Sequence, residues 1–193
     1  MRVLAVLVFL CAFVGGAAAC DTVSDVLEAR IVGVPDGATL ILANGDKLRL
    51  SGIQAPKHYD PGSDLTDWPL AEDARAFLDS LASGRTLSLA PAGTGRDRHD
   101  RLIGQAYLED GTWLQKQMVS AGLARAYSFP DNRDCAGDLL KAEAAARADK
   151  RGIWADPFYA VRDAARPGDL LDRAGFFELV EGRVLLADRR IES

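Results

Sequence analysis

The sequence predicts an α+β fold, mainly β: a five-stranded OB-type barrel packed by two to three helices. Three observations predict it. Short apolar runs are punctuated by Asp-Gly and Asn-Gly pairs, helical periodicity interrupts them twice, and an Ala-rich helical stretch closes the series.

In chain order, Ala29 to Val34, Thr39 to Leu42 and Lys47 to Ile53 read as strands, with Asp36-Gly37 and Asn44-Gly45 as the turns between them. Asn-Gly between alternating apolar residues signals a hairpin, because both residues tolerate the positive φ that a tight turn demands. A loop rich in Pro, Gly and Asp follows, from Ala55 to Asp67. From Trp68 to Ala82 the residues Leu70, Ala71, Ala74, Phe77, Leu78 and Leu81 recur at helical spacing, and the helix is expected to stop near Gly84. Thr86 to Ala90 and Leu102 to Leu108 are the next strands, flanking the charged loop Arg96-Asp97-Arg98-His99-Asp100-Arg101.

Asp110-Gly111 turns the chain into a helix from about Trp113 to Ala121, capped by Gly122. Leu123 to Tyr127 reads as the last strand. An Ala-rich helix runs from about Asp134 to Lys150, with Leu139, Leu140, Ala144 and Ile153 as its expected core face. Residues 157 to 175 read as a linker containing Pro157 and Pro167, and Phe176 to Leu186 as a strand-like extension. A single strand does not bury itself, so this one has to pair with the barrel, pair with another chain, or begin a second domain.

The first residues order themselves as a signal peptide: Arg2, an apolar run from Val3 to Val14, then the small residues Gly15 to Ala19. The run is shorter than a membrane span requires. The expected organisation is a signal peptide over 1–19, a lead-in over 20–27, a barrel domain over 28–155, and a linker with its extension over 156–193. The expected destination is outside the cytoplasm: periplasmic, secreted, or membrane-tethered. Ala17-Ala18-Ala19-Cys20 loosely resembles a bacterial lipobox, with Ala17 where leucine is usual. Cys20 is therefore either a lipidation site or one half of a disulfide with Cys135, which an oxidising compartment permits. Cys11 lies in the segment that export would remove.

Composition narrows the function. The chain is 48% hydrophobic, which rules out a disordered tail. Loss of Arg2 with the signal peptide takes the net charge from −5 to −6. That argues against a general nucleic-acid binder, which relies on surplus Lys and Arg, but a small basic cleft on an acidic protein still focuses field on one phosphate.

Several motifs are informative together. They are Val34-Pro35-Asp36-Gly37-Ala38-Thr39-Leu40, then Leu48-Arg49-Leu50-Ser51-Gly52-Ile53-Gln54-Ala55-Pro56-Lys57, then Asp97-Arg98-His99-Asp100-Arg101. Asp110-Gly111, Leu123-Ala124, Ala142-Glu143-Ala144-Ala145-Ala146-Arg147 and Gly152-Ile153-Trp154 complete the series. In this order and spacing they resemble the staphylococcal nuclease (thermonuclease) family across roughly residues 28 to 154. The resemblance implies a barrel that binds a nucleic-acid strand and hydrolyses its phosphodiester bonds with calcium. It also implies that the calcium is held by an aspartate in the opening turn and another after the Gly-Ile pair, with a glutamate nearby to position water. Those positions are Ala38, Gln54 and Lys57 here.

Alanine offers no ligand, glutamine one neutral oxygen, and lysine the opposite charge, whereas calcium needs several oxygens with net negative charge. Asp36 survives from the turn, either as a weak cation ligand or as a turn-forming residue before Gly37. Arg49 and Arg101 occupy the two arginine positions that the resemblance assigns to phosphate; otherwise they pair with loop carboxylates such as Asp97 or Asp100. Lys57 is either a third cation of an anion pocket or a solvated loop lysine. Tyr127 resembles a position at the base-binding end, or packs the barrel. His99 can act as a base near neutral pH, at a position the resemblance makes aromatic.

Three functions follow as expectations. The first is a degenerate, cofactor-free module that binds nucleic acid, another phosphate-bearing ligand or a protein partner. The second is an active nuclease that uses Ca2+ through non-standard ligands, with Asp36 joined by Asp97 or Asp100. The third is a structural envelope protein, reaching its partner through residues 176 to 186 or the membrane through a lipidated Cys20. Convergence of two acidic side chains within coordinating distance of Arg49 and Arg101 separates the second from the others.

Overall fold

In the computed structural model, which describes residues 27–59, 66–130, 133, 135–173, 176 and 178–187, strand β1 (Leu27–Asp36) turns at Asp36-Gly37 into β2 (Thr39–Leu42). Asn44-Gly45 then turns β2 into β3 (Lys47–Leu50), with Gly45 at φ 89 and the Asn44 side chain accepting the Asp46 N–H at 3.0 Å. There follow β4 (Ile53–Gln54), α1 (Ala71–Ala82), β5 (Thr86–Arg96), β6 (Leu102–Leu108), α2 (Leu114–Ser120), β7 (Arg125–Ala126) and α3 (Ala136–Ala148). After two 3₁₀ turns, Gly152–Ala155 and Pro157–Tyr159, come β8 (Arg162–Asp163), α4 (Pro167–Leu171) and β9 (Val180–Glu181). The signal-peptide and lipobox segments, Cys20 included, lie outside the described residues.

The strands β1-β2-β3-β6-β5 form a closed barrel, with β3 and β6 parallel and the other pairs antiparallel. Closure leaves the barrel itself no free edge among the described residues. Ile31, Leu40, Leu42, Leu48, Leu50, Leu87 and Leu89 point inward, each at most 1% exposed. Each contributes about 1.5–3 kcal/mol by leaving water. Helix α1 closes on this core through Ala74, Leu78 and Ala82; α2 adds Leu114, Met118 and Val119, and α3 adds Leu139.

Several boundaries differ from the sequence expectation, each for a local physical reason. The strand expected over Lys47 to Ile53 breaks at Gly52, which sits at φ 78, where a Cβ would stand 2.8 Å from a Leu139 methyl. The chain turns there, and β4 leaves the barrel to pair with β7. The helix expected from Trp68 begins at Ala71, because Pro69 disfavours helical backbone at Trp68 and Leu70 is left-handed at φ 62. Strand β5 runs on to Arg96 through a register shift after Pro91.

The expected core face of α3 is also corrected. Leu140 is 55% exposed and Ala144 is exposed, while Leu139, Glu143 and Ala146 are buried. The inward stripe is one position round from the apolar one because Glu143 faces inward and accepts the Ala126 N–H at 2.6 Å. Ile153 is buried as expected, but in a separate cluster with Trp68 and Tyr159.

Among the described residues of Phe176 to Leu186, only Val180–Glu181 is a strand, and it pairs in parallel with Arg162–Asp163 rather than with the barrel. The segment after residue 156 packs on Trp68, whose ring centroid lies 5.6 Å from Phe158 and 5.5 Å from Phe176. Arg173 lies over both phenyl rings, at 4.2 and 4.4 Å, and donates to Glu178 at 2.7 Å.

Candidate functional site

A cleft of about 860 Å³ opens where the β1–β2 turn, the β4–α1 loop, the β5–β6 loop and the segment after β7 meet. Asp36, Arg49, Lys57, Arg101 and Tyr127 all line it, so the structure brings together every cleft residue expected from sequence. Its charged lining is Arg49, Lys57, Arg98 and Arg101 against Asp36 and Asp97. Four cations facing two carboxylates make this cleft basic on a chain whose net charge is −5.

Arg49 is positioned by β3 and is half-buried. One terminal nitrogen donates to the carbonyls of Ala38, at 3.2 Å, and Leu50, at 2.9 Å; the other donates to Ile53 at 2.8 Å. It thereby ties the start of β2 to β3 and β4, a structural use of a side chain expected to serve a ligand. Burial pushes the guanidinium below its ordinary value, and Asp36 opposes that while Arg101 adds to it. Arginine remains charged throughout the accessible pH range.

Asp36 accepts the Ala38 N–H at 2.8 Å, which is the turn-forming role. Ala38 is buried, and Gln54 donates its amide to the Ala55 carbonyl at 3.0 Å. Asp97 is more heavily engaged. Its Oδ1 accepts the backbone N–H groups of His99, at 2.9 Å, and Arg101, at 3.0 Å, while its Oδ2 accepts Arg101 Nε at 2.8 Å. Burial pushes the Asp97 carboxyl up, but the Arg101 side chain and these backbone donors outweigh it and hold the group below the usual carboxylate range. Asp100, at φ 59, turns toward Arg96 instead of lining the cleft.

Lys57 is exposed and stands 5.4 Å over the Trp68 ring. Tyr127 donates its backbone N–H to Gly52 at 2.8 Å, and its ring meets Phe129 edge-on at 4.9 Å. Phe129, 52% exposed on the cleft rim, and His58 were not expected from sequence. No spacing signal marks His58, whose Nδ1 lies 2.7 Å from Asp67 Oδ2 but without the alignment of a hydrogen bond. Cys135 is buried and disulfide-bonded. Among the described residues no group of three His, Cys, Asp or Glu side chains is placed to hold a metal ion.

Comparison with known proteins accords with this geometry. The family model "Staphylococcal nuclease homologue" matches residues 47–156. An "Uncharacterized endonuclease" of Escherichia coli is 35% identical over 134 residues, covering 67% of this chain and 78% of that protein. The "Probable staphylococcal-like nuclease CAN1" of Oryza sativa is 30% identical over 115 residues, covering 60% and 30%. The "Succinoglycan biosynthesis protein ExoI" of Rhizobium meliloti is 28% identical over 138 residues, covering 70% and 68%. With the barrel, the cleft and these matches together, the chain belongs to the family of staphylococcal nuclease homologues.

Proposed function

We propose that this chain is an exported nuclease-family module that binds a phosphate-bearing strand in its basic cleft and has lost the family's metal-dependent hydrolysis. The observation behind this is the fate of the two carboxylates lining the cleft: Asp36 is engaged by the Ala38 N–H and Asp97 by Arg101. Calcium needs several hard oxygens carrying net negative charge. The cleft offers it a turn-bound carboxylate, an alanine, a glutamine and a lysine, so this donor set does not fit the ion. Arg101, Arg98 and Lys57 remain at the surface to meet phosphate oxygens.

Export is supported by the signal-peptide order of residues 1–19 and by the disulfide at Cys135, since such bonds persist in oxidising compartments. Among the described residues no helix is long and apolar enough to cross a membrane. A second reading, an active metal-dependent nuclease, is favoured by the endonuclease and nuclease names of the relatives. The name of the succinoglycan biosynthesis relative favours neither cleavage nor binding of nucleic acid.

The test pairs binding and cleavage of labelled single-stranded and duplex DNA and RNA, with calcium and with chelator, beside an Arg49→Ala, Arg101→Ala double variant. Salt-sensitive strand binding that the double variant loses, with no calcium-dependent cleavage, is the expected result. Calcium-dependent cleavage lost in the double variant would replace this reading with the second.

A further inference from the structure

Of the four cations that line the cleft, three are engaged by neighbouring acceptors. Arg49 donates to backbone carbonyls, Arg101 to Asp97, and Arg98 to the His99 ring. The Lys57 side chain meets no acceptor among the described residues; its ammonium stands over the Trp68 ring, 5.4 Å from the centroid. A ring face attracts a cation without neutralising it. Lys57 therefore keeps its full charge for a phosphate, at a place the ring fixes. The Trp68 N–H also donates to the Lys57 carbonyl at 2.9 Å, which ties one end of the β4–α1 loop to the other.

The support around Trp68 comes from beyond residue 156, where the family match ends. Phe158, Tyr159 and Phe176 surround the indole at centroid distances of 5.6, 6.5 and 5.5 Å, leaving Trp68 8% exposed. Arg173 clamps two of these rings, 4.2 Å from the Phe158 centroid and 4.4 Å from that of Phe176, and pairs with Glu178 at 2.7 Å. The pairing of β8 with β9 fastens the same segment. A close-packed ring is held by the atoms on its faces, so removing either phenyl group frees the indole to shift and takes the platform from under Lys57.

We propose that the extension after residue 156 is a working part of the cleft: Phe158 and Phe176 position Trp68, and Trp68 positions Lys57 on a phosphate of the bound strand. Phe176 is a positioning residue, since it does not line the cleft itself. The extension thereby sets how many charges the cleft brings to a phosphate backbone and how tightly it grips.

This inference rests on the strand-binding reading, and one experiment separates their failures. Binding of fluorescein-labelled oligothymidylate to the mature protein is followed by anisotropy over a range of salt concentrations, for wild type, K57A, F176A, F176Y and the K57A/F176A double variant. K57A should lower the slope of log affinity against log salt by about 0.7, the loss of one single-strand phosphate contact, which is about 5-fold in affinity at roughly 0.1 M salt. F176A, with Lys57 still present, should lower the slope in the same direction and weaken binding about 2-fold or more. F176Y, which keeps the ring, should bind as wild type does, and the double variant no more weakly than K57A. If F176A melts below the assay temperature, R173A, which withdraws the cation over both phenyl rings, takes its place with the same expectation. An unchanged slope in F176A, or losses that add in the double variant, overturns this proposal alone; no binding by the wild type overturns both readings.

Discussion

Arg101 meets a single oxygen of Asp97 twice, its Nε at 2.8 Å and its Nη2 at 2.7 Å. The two residues stand four positions apart in one loop, so the cation facing the cleft is held by a carboxylate that also receives the loop's own N–H groups.

Breaking that pair trades loop order for exposed charge. Asp97→Asn should cost about 1–3 kcal/mol in unfolding, as loss of charge-assisted hydrogen bonds does. It should also tighten anion or strand binding several-fold at low salt, because Arg101 loses its counter-charge. Because the folded carboxyl lies below its ordinary value, its stabilisation is present above the unfolded pKa of about 3.9 and is lost as pH falls through the folded one. Urea titrations between pH 7 and pH 2 should show a smaller acid loss in the variant; an equal loss in both proteins would mean that the pair does not stabilise the fold.

Glu143 has the opposite sign. Burial raises its carboxyl above the ordinary value, opposed by the Ala126 N–H and by Arg147 and Arg125. A raised folded pKa favours folding below the unfolded value, and that gain disappears as pH rises through the folded pKa. Glu143→Gln keeps an acceptor for Ala126 and removes the buried charge, so its melting temperature should match or exceed wild type at pH 7 and lose any advantage near pH 4. Glu143→Ala leaves the buried N–H without its acceptor and should cost about 1–3 kcal/mol at either pH.

Trp68 joins the cleft to the segment beyond the family domain. It is 8% exposed, with Lys57 over its ring and Phe158, Tyr159 and Phe176 around it. Trp68→Ala should cost about 3–5 kcal/mol and loosen the β4–α1 loop. Arg173→Ala, which removes the cation over Phe158 and Phe176 but leaves Trp68 in place, should speed proteolysis in that loop and red-shift tryptophan emission, with the barrel still folded. Unchanged proteolysis would show that the extension does not hold the loop.

The barrel strands were legible because their signals are local. Thr39–Leu42 and Leu102–Leu108 fall where the apolar runs place them, and Gly45, Gly84, Gly111 and Gly122 turn at positive φ as their dipeptides and caps suggest. The cleft set was legible through the family motifs, which place Asp36, Arg49, Lys57, Arg101 and Tyr127 in one cavity. The inward face of α3 was not, because a buried glutamate reads as a solvent residue until its acceptor role is known. Nor was His58, whose neighbour Asp67 stands at no fixed spacing from it.

By itself the sequence determined the order of elements, the turns, and the exchange of acids for Ala38, Gln54 and Lys57, because side-chain chemistry and short-range backbone preference act within a few residues. Only the tertiary structure decided what those side chains meet. Arg49 reaches the carbonyls of Ala38 and Ile53, Glu143 the N–H of Ala126, and Trp68 the rings of Phe158 and Phe176. A buried polar group must find a hydrogen-bond partner wherever closure of the barrel brings one, and that partner's position along the chain leaves no periodic trace.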